Sequence, residues 1–557
     1  MTDINLVNEG GVIKRIDRET GEEVPVTFDD LASNSQRAGR QFGDTRHATL
    51  IAYKDDDEVV VISRTAEVAR DADAGVALTD ADAAMSSAYH LHITTGTYTM
   101  SGTYSEGALW AIRTPGTTVT GEGKASEIRW DPSSRSGDDG ARLVEIREGA
   151  DGVSFRNLFI NGRVDQILDN GGTVDNRNDG HNVAIIGSDD FSMIGCYSWL
   201  SPGDGVEPGL GGGGNGCVIA ANHFYRNWEQ NVHLNGCNDN AVVGNVMERE
   251  VNNSHINTFT PSGTTTQRNT IVGNTIREST TEGITFSGTG THKDHVVSGN
   301  VIYNNGGPGI FGVCENATIN NNVIANNGGQ GVRLTGSGTI ADNVIRDNAT
   351  QGVRIYGSVT VTGNRITGSG REGVHAAGRL ENTTIADNII ANNAAQGIKN
   401  KYGGKGVAIT GNTVRNNGDV GVLVSSENDV TDGLLVSGNV MQGNATDAIR
   451  HVSGQRTGAD HTNVLITNNA AAGNTITTAR KNGGVMDRSL ITGNLGNVRE
   501  PARLAVVYDN YRNYNVYSSP PPSPMPGAKY LDDGTNRADG NVGPRVYDGA
   551  AWVDIAG

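Results

Sequence analysis

Acidic, histidine and aromatic side chains concentrate in one short stretch of the sequence, residues 197–233. Its polar members are Asp204, Glu207, Glu229 and His233, and its aromatic members are Tyr197, Trp199, Phe224, Tyr225 and Trp228. Flat aromatic rings suit the apolar faces of sugars, and nearby carboxylates can bind hydroxyl groups or transfer protons. The stretch therefore predicts a carbohydrate site, with Tyr197, Trp199, Tyr225 and Trp228 as the substrate-binding residues.

Two kinds of reaction fit the four polar residues. A pair of carboxylates can hydrolyse a glycosidic bond, one as acid and one as base or nucleophile, and Asp204 with Glu207, or Glu207 with Glu229, would be that pair. Elimination would instead use a base such as His233 and a group that neutralises a uronate carboxylate. The sequence leaves open which reaction applies, and whether the patch only binds a glycan.

Further polar residues extend these candidates. His255 and Glu282 could lengthen the groove, with His255 as a substrate-binding position, or could simply be exposed polar residues. Asp175, Asp179 and His181 could together coordinate Ca²⁺ through oxygen-rich ligands, or could form a solvated loop. Apart from that calcium hypothesis, the sequence predicts no metal and no cofactor. The four cysteines fit no zinc module, and Cys196, Cys217 and Cys237 are expected to be small buried residues.

A repeated motif shows which elements must position these residues. A five-residue motif recurs about every 25 residues: it consists of an apolar residue, two small or polar residues, asparagine and another residue. The asparagines are at positions 222, 245, 274, 300, 322, 343, 364, 388, 412, 439, 469 and 494. Short alternating strands separated by Asn/Gly turns, with no helix between them, fit a coil that rises one strand spacing per repeat. Stacked asparagine amides would then bond from coil to coil.

This coil geometry assigns directions to the candidate residues. In GDGVEPG the side chain of Val206 should point inward and that of Glu207 outward, with His233 next to Glu207 on the following coil. Another outward row follows from the successive GVx motifs, and it contains Arg333, Arg354, His375, Lys399 and Arg450. Such a row could hold an anionic glycan, with Arg333 and Arg354 as binding residues, or could only balance local charge.

Residues upstream of the repeat carry a family resemblance. HITTGTYTMSG, VTGEGKASEIRW and VSFRNLFINGR resemble the first coils of the pectate-lyase-like superfamily, with Thr95 where proline is usual. The resemblance implies an all-β fold, a right-handed parallel β-helix (solenoid), over about residues 89–500. It covers most of the chain, but lyases, hydrolases, epimerases and viral tailspikes share this fold, so it does not settle function.

The ends of the chain differ from the repeat. We predict a head or attachment region over 1–60, the β-helix with its lead-in segment over 61–500, a linker with the Pro-rich spacer SSPPPSPMPG over 501–527, and a small C-terminal β-hairpin module over 528–557. The C-terminal segment resembles the terminal modules on fibre and spike proteins of tailed viruses. No secretory signal and no long apolar segment is recognisable, so membrane insertion is not expected.

Charge narrows the partners further. The net charge is −18, with many Asp and few Lys, which is typical of proteins that stay hydrated in high salt and argues against nucleic-acid binding. The resemblance to viral spike proteins, together with this charge pattern, leads us to expect a virion tailspike or receptor-binding protein from a virus of a halophilic archaeon. The resemblance implies a homotrimer that acts at the host surface, with other virion tail proteins as partners. Its ligand would be a host surface glycan or glycoprotein. The alternatives are a free polysaccharide hydrolase, lyase or epimerase, and a non-enzymatic structural virion decoration.

Overall fold

The computed structural model describes most of the repeat region. It covers residues 49–64, 66–101, 107–131, 133, 142–169, 180–378, 380–425, 431–453, 461–480 and 490–499, together with the isolated strands named below. The chain divides into two compact units, Met1–Gly307 and Pro308–Gly557. Both consist mainly of short strands that pair in parallel with the same strand of the preceding and following coils, as in Phe159↔Tyr197↔His223. The predicted parallel solenoid is thereby confirmed.

Each coil of the first unit has three strands, called first, second and third in chain order. The first strands are His90–Ile93, Thr118–Thr120, Ser154–Arg156, Ser192–Ile194, Val218–Ala220, Ala241–Val243, Thr270–Val272 and Val296–Ser298. The second are Gly96–Met100, Ser126–Trp130, Phe159–Asn161, Tyr197–Trp199, His223–Tyr225, Val246–Glu248, Thr275–Arg277 and Val301–Tyr303. The third are Ala108–Ile112, Arg142–Ile146, Val183–Ile186, Glu207–Leu210, Val232–Asn235, Ile256–Thr260 and Ile284–Gly288. Thr265–Gln267 and Thr291–Lys293 add a short strand to two coils.

The second unit repeats the same order within its own coils. Third and first strands are continuous in Ile310–Asn320, Val332–Ala341 and Val353–Thr362. Separate third strands are Val374–Ala376, Ile398–Asn400, Val422–Ser425 and Asp447–Ser453, and separate first strands are Thr384–Ala386, Ala408–Thr410, Leu435–Ser437, Leu465–Thr467, Leu490–Thr492 and Val506–Tyr508. Second strands are Val323–Ala325, Val344–Arg346, Arg365–Thr367, Ile389–Ala391, Thr413–Arg415 and Val440–Gln442. The remaining strands are Ala470–Arg480, Leu495–Arg499, Leu380–Glu381, Gly404–Lys405, Thr431–Asp432, His461–Thr462 and Met486–Asp487.

The repeated asparagines form the predicted ladder. In the second unit, the backbone N–H of Asn343 and its Nδ2 both donate to Oδ1 of Asn364, at 3.0 and 2.9 Å. Asn364 repeats this pattern with Asn388, at 2.9 and 3.0 Å. A second ladder, five residues further along each coil, was not predicted. It joins Asn393, Asn417 and Asn444 in the same way, and its signal in the sequence is the spacing N-x₄-N.

The coils begin on an antiparallel hairpin and a short helix. Leu50–Asp55 pairs with Glu58–Ser63, which pairs with Glu67–Asp71, and Leu50–Asp55 also pairs in parallel with His90–Ile93. The boundary predicted at residue 60 therefore falls inside this hairpin. The helix Ala74–Ala83 follows, capped at its N-terminus by the side chain of Asp73. Gly75 of this helix lies so close to the backbone of Leu109 that a Cβ would overlap the Leu109 carbonyl oxygen.

Smaller elements complete the structure. They are a 3₁₀ turn, Gly123–Ala125, and a helix, Val164–Asp169. Near the N-terminus Ile4–Glu9, Val12–Asp17 and Glu23–Val24 form an antiparallel sheet. Near the C-terminus are Val516–Tyr517, Lys529–Asp532, Gly543–Tyr547 and Trp552–Asp554, of which the last three pair antiparallel. Within the described part of the chain, no helix is both long and apolar enough to cross a bilayer. All four cysteines are buried, as expected for three of them.

Candidate active site

The third strands of successive coils place one row of side chains on the outer surface of the first unit. The register joins Glu145 to Ala184 and Ala184 to Glu207, and a single bridge joins Val206 to Val232. Val206 and Val232 are completely buried, so the residues that follow them, Glu207 and His233, face outward. The predicted adjacency of Glu207 and His233 is confirmed, and the predicted inward position of Val206 agrees with its burial, whereas Glu207 is itself only 2 % exposed.

Asp204, Glu207 and His233 form one hydrogen-bonded group. His233 Nδ1 lies 3.0 Å from Asp204 Oδ2 and 3.2 Å from Glu207 Oε1. The backbone N–H of Gln230 donates to Asp204 Oδ1 at 2.7 Å, and Asn235 Nδ2 donates to Glu207 Oε1 at 3.0 Å. The carboxylates are 0 and 2 % exposed, whereas the His233 side chain is 16 % exposed. Of these three side chains, only that of His233 is therefore accessible to a ligand.

His181 joins the group from the preceding coil. The backbone N–H of Asp204 donates to its Nδ1 at 3.0 Å, which leaves the ring proton on Nε2. Nε2 lies 2.7 Å from Glu207 Oε2, a short contact without the alignment of a good hydrogen bond. His181 is itself buried. It therefore contacts the carboxylate oxygen of Glu207 that His233 does not contact.

Charges within this group shift the pKa values of Glu207 and His233. Burial alone would raise the pKa of Glu207, but the adjacent His181 and His233 hold that pKa well below its usual range. Burial alone would lower the pKa of His233, yet Asp204 and Glu207 raise it well above 6.5. His233 Nε2 has no hydrogen-bond partner among the described residues. This nitrogen is itself buried, and it is the ring nitrogen that the two carboxylates leave without a hydrogen bond.

Glu229 is the second titrating group of the site. It lies on the corner before the third strand, where its backbone N–H donates to the Gly203 carbonyl at 3.2 Å, and it is half-buried. Burial and the charge of Asp204 raise the pKa of Glu229 to about 8, against the opposite effect of His181 and His233. Glu229 thus carries a proton at neutral pH. A protonated carboxyl within electrostatic reach of a histidine is an arrangement suited to acid–base catalysis.

An aromatic platform lies on the second strands of the same coils. It consists of Phe159, Tyr197, Trp199, His223 and Tyr225, all half-buried. Trp199 contacts Phe159 edge to face at a centroid distance of 5.1 Å. The rings of Trp199 and Tyr225 are tilted against each other, with a centroid distance of 5.2 Å. Lys124 Nζ lies 3.9 Å from the Trp199 ring centroid. The platform thus presents partly exposed rings and one cation, whereas Phe224 points into the core and is buried.

The remaining predicted residues lie elsewhere. His255 is completely buried, its Nε2 is 2.7 Å from the Arg277 carbonyl, and its Nδ1 contacts Asn231. Burial lowers the pKa of His255 to about 4, so it is a neutral internal residue and does not line a groove. This corrects its assignment to substrate binding. Trp228 and Glu282 are half-buried on corners of their coils. Trp228 donates its backbone N–H to Ser201 at 2.9 Å.

The basic row of the second unit follows the predicted order. The register aligns Arg333 with Arg354, then His375, then Lys399, and after Leu423 continues to Arg450. Arg450 forms an ion pair with Asp447 at 2.6 Å. Lys399 forms one with the buried Glu372 at 2.9 Å.

Two groups of residues could hold a metal ion. Asp175 and Asp179, predicted with His181 to bind calcium, lie outside the described residues. His181, Asp204 and Glu207 bring ligand atoms within 4.8 Å of one another. However, His181 Nδ1 accepts a backbone N–H, and Glu207 Oε1 accepts from Asn235. These two atoms are therefore engaged within the protein, whereas His181 Nε2 and Glu207 Oε2 face each other at 2.7 Å without a good hydrogen bond.

Comparison with protein families identifies the class of fold. The family model described as "Right handed beta helix region" matches residues 334–495. The fold is a right-handed parallel β-helix. A second model, described as "Periplasmic copper-binding protein (NosD)", matches residues 248–404. Within the described part of that segment, no three His, Cys, Asp or Glu side chains lie close enough to share an ion.

Solved structures of the same class are distant. The A-module of Azotobacter vinelandii mannuronan C-5 epimerase AlgE4 is 16% identical, with 80% of this chain and 97% of that chain covered and a TM-score of 0.33. The periplasmic alginate epimerase AlgG is 14% identical over 64% and 85%, with a TM-score of 0.35. The catalytic domain of a GH87 α-1,3-glucanase is 11% identical over 77% and 66%, at 0.28. No curated protein matches the chain. Likenesses this distant carry no argument about activity.

Sequence reasoning missed part of the network. The sequence predicts His181 only as a calcium ligand and assigns no role to Gln230 or Asn235. A signal for His181 exists: like Asp204 and Gln230, it stands two residues before the inward valine that begins or precedes a third strand. In parallel coils that shared position brings the three residues together.

Proposed function

We propose that the chain binds a polysaccharide on the first unit and processes it by proton transfer, with His233 and Glu229 as the exchanging groups. The observation that carries the proposal is the hydrogen-bonded group in which Asp204 and Glu207 both contact Nδ1 of the partly exposed His233. Two carboxylates on one ring nitrogen make His233 a stronger base than a free histidine. Glu229, with a pKa of about 8, supplies the complementary acid.

The burial of the carboxylates limits the mechanism. Asp204 and Glu207 are almost completely inaccessible, so neither is placed to attack a sugar carbon directly. Their role is to orient the His233 ring and to raise its pKa. In its neutral form, His233 would accept a proton, either from a sugar carbon next to a uronate carboxylate or from a water molecule. Glu229 would donate its proton to the departing glycosidic oxygen or back to the sugar. Removal of a proton from the sugar carbon would lead to elimination or epimerisation, and removal of a proton from water would lead to hydrolysis.

The aromatic platform supplies the binding part of the proposal. Its rings belong to the coils that also carry Glu207 and His233, and they are partly exposed on the outer surface. A purely structural β-helix would have no need of half-exposed Trp199 and Tyr225 side by side. Sugar rings pack on such faces, and Lys124 adds a donor for hydroxyl or acidic groups. These features favour a glycan-active protein over a structural decoration.

We propose the virion tailspike or receptor-binding role as the setting of this activity. What supports it is the order of the chain, with a non-repeat head, a β-helix, a Pro-rich spacer and a small C-terminal module, together with the Asp-rich composition. In this setting the protein is a homotrimer on the virion of a virus of a halophilic archaeon, and the ligand is a host surface glycan or glycoprotein. A free polysaccharide enzyme is the second candidate, favoured by the acid–base group alone.

The test is incubation of the full chain, in high salt, with envelope glycans of candidate hosts and with neutral and uronate-containing polysaccharides, followed by mass analysis. We expect products that disappear in His233→Ala and are strongly reduced in Glu229→Gln but persist in Asp239→Asn, an exposed carboxylate paired with Arg268. Unsaturated ends would identify elimination, saturated shorter chains hydrolysis, and an altered sugar configuration without shortening epimerisation. Saturable binding lost in Trp199→Ala without products would leave a receptor-binding protein. If no products form and no glycan binds, the proposal is refuted.

A further inference from the structure

The outer row of the second unit contains cations without matching carboxylates. Arg333 and Arg354 lie on adjacent coils, and neither guanidinium forms an ion pair with a described residue. Each instead lies on an aromatic ring: Arg333 is 4.9 Å from the Phe311 centroid, and Arg354 is 5.2 Å from that of Tyr356. Stacking of this kind holds a guanidinium in a fixed plane and leaves its N–H groups free for an anion.

His375 lies on the next coil of the same row, between Arg354 and Lys399. It is only 7 % exposed, and neither ring nitrogen has a hydrogen-bond partner. The nearest carboxylate oxygen, Glu372 Oε1, lies 4.0 Å from Nδ1, which is too far for a hydrogen bond. A buried polar side chain without a partner is costly, so its presence on the outer face points to a ligand that completes it.

Glu372 does not neutralise the row. Its carboxylate is buried and accepts hydrogen bonds from Lys399 Nζ and Gln351 Nε2, both at 2.9 Å. Burial raises its pKa, but these two donors hold the pKa at about 2, so Glu372 is ionised and occupied. Its single charge offsets that of Lys399. Arg333 and Arg354 are left uncompensated on a chain whose net charge is −18.

We propose that this row is a second carbohydrate site, which binds a polysaccharide through its carboxylate or sulfate groups. Arg333 and Arg354 contact successive anionic groups, because adjacent coils are about 4.8 Å apart, close to the length of one sugar ring. His375 donates a ring N–H to the group held beside Arg354. The site uses no residue of the acid–base group on the first unit, so it does not depend on catalysis there.

Protonation of His375 should respond to the ligand. Burial and the charges of Lys399, Arg354 and Arg371 lower the pKa of His375 to about 4, against the opposite effect of Glu372. An anion bound between these cations favours the protonated ring and raises that pKa. Binding should therefore strengthen as the pH falls from 7 towards 5, and this dependence should vanish in His375→Gln.

The experiment is titration calorimetry of the full chain, at the lowest salt that keeps it folded, with four probes. They are a uronate oligosaccharide, a sulfated oligosaccharide, inorganic sulfate and a neutral glucan. We expect one or both anionic oligosaccharides to bind, and Arg354→Gln and Arg333→Gln each to weaken binding about tenfold, the loss of one hydrogen-bonded charge. Arg365→Gln is the matched control, because Arg365 is an exposed arginine on a second strand of the same unit.

Three results would overturn the inference: no binding of either oligosaccharide, equal binding of the neutral glucan, or equal weakening in Arg365→Gln. The catalytic proposal is tested separately with Glu207→Gln. That variant should abolish product formation yet keep the affinity of the second unit, measured with the uronate oligosaccharide. Circular dichroism of each variant confirms that the coils are intact.

Discussion

The asparagine ladder should be a major source of stability in the second unit, and Asn364→Ala tests this. The Asn364 side chain accepts from the backbone N–H and Nδ2 of Asn343, and its own Nδ2 donates to Ile340 and Asn388. Asn343 Nδ2 and Asn388 Oδ1 keep other partners in the variant. The Asn343 backbone N–H does not, and it would be left buried and unsatisfied.

The magnitude follows from these contacts. A buried unsatisfied N–H costs about 1–3 kcal/mol, and each lost hydrogen bond about 1 kcal/mol, so Asn364→Ala should cost about 4 kcal/mol. For a unit of this size, that corresponds to a fall in Tm of roughly 10 °C. Hydrogen exchange at the Asn343 amide should accelerate about 100-fold or more. Arg365→Ala, at the next residue but exposed on the surface, should change neither quantity appreciably.

Asn364→Asp separates the acceptor from the donor. Aspartate keeps the oxygen that Asn343 needs but places a carboxylate against the Ile340 carbonyl and Asn388 Oδ1. Its pKa in the folded chain must therefore be raised, and the stability of this variant should fall as the pH rises from about 4 to 7. A Tm within 2 °C of the parent for both variants, with unchanged exchange at Asn343, would refute the stabilising role of the ladder.

Three further outcomes are expected at the acid–base group. Asp204→Asn removes a charge that raises the His233 pKa, and it should lower the rate about 100-fold or more with little change in KM, measured by steady-state kinetics on the glycan found active. If Glu229 is the acid, the rate should decline as the pH rises through about 8. The residual activity of Glu229→Gln should lack that decline. The same decline in both proteins would assign the alkaline pKa to another group. Trp199→Ala should weaken glycan binding about fivefold to tenfold, whereas Val301→Ala, an exposed second-strand residue outside the platform, should not.

The sequence predicted most of the frame, since the frame depends on local periodicity. Alternation around Val206 placed Glu207 outward, and the spacing between GDGVE and NVHLN placed His233 beside it. The ladder was predictable because each asparagine recurs at the same point of a coil. These features need only the repeat length and the two-residue period of a strand.

The chemistry of the site was less predictable, because packing decides it. The sequence offered Asp204 and Glu207 as a hydrolytic pair, but the neighbouring histidines and amides bury both. The raised pKa of Glu229 depends on its burial beside Asp204, which no spacing reveals. The placement of His255 failed for a similar reason: its position looks exposed by alternation, but the ring turns inward to Asn231.

Parallel stacking of coils also determines how the molecule can come apart. Within either unit, the hydrogen bonds of a strand run to the same strand one coil earlier and one coil later, as in Arg333↔Arg354↔His375. Cooperativity in such an array is a nearest-neighbour property, and the free energy is close to a sum over coils and their interfaces. Opening should therefore begin where a coil has lost one neighbour and spread inward one coil at a time. A weakened interface in the middle of an array would act as a breakpoint, which would be seen as two unfolding transitions in place of one.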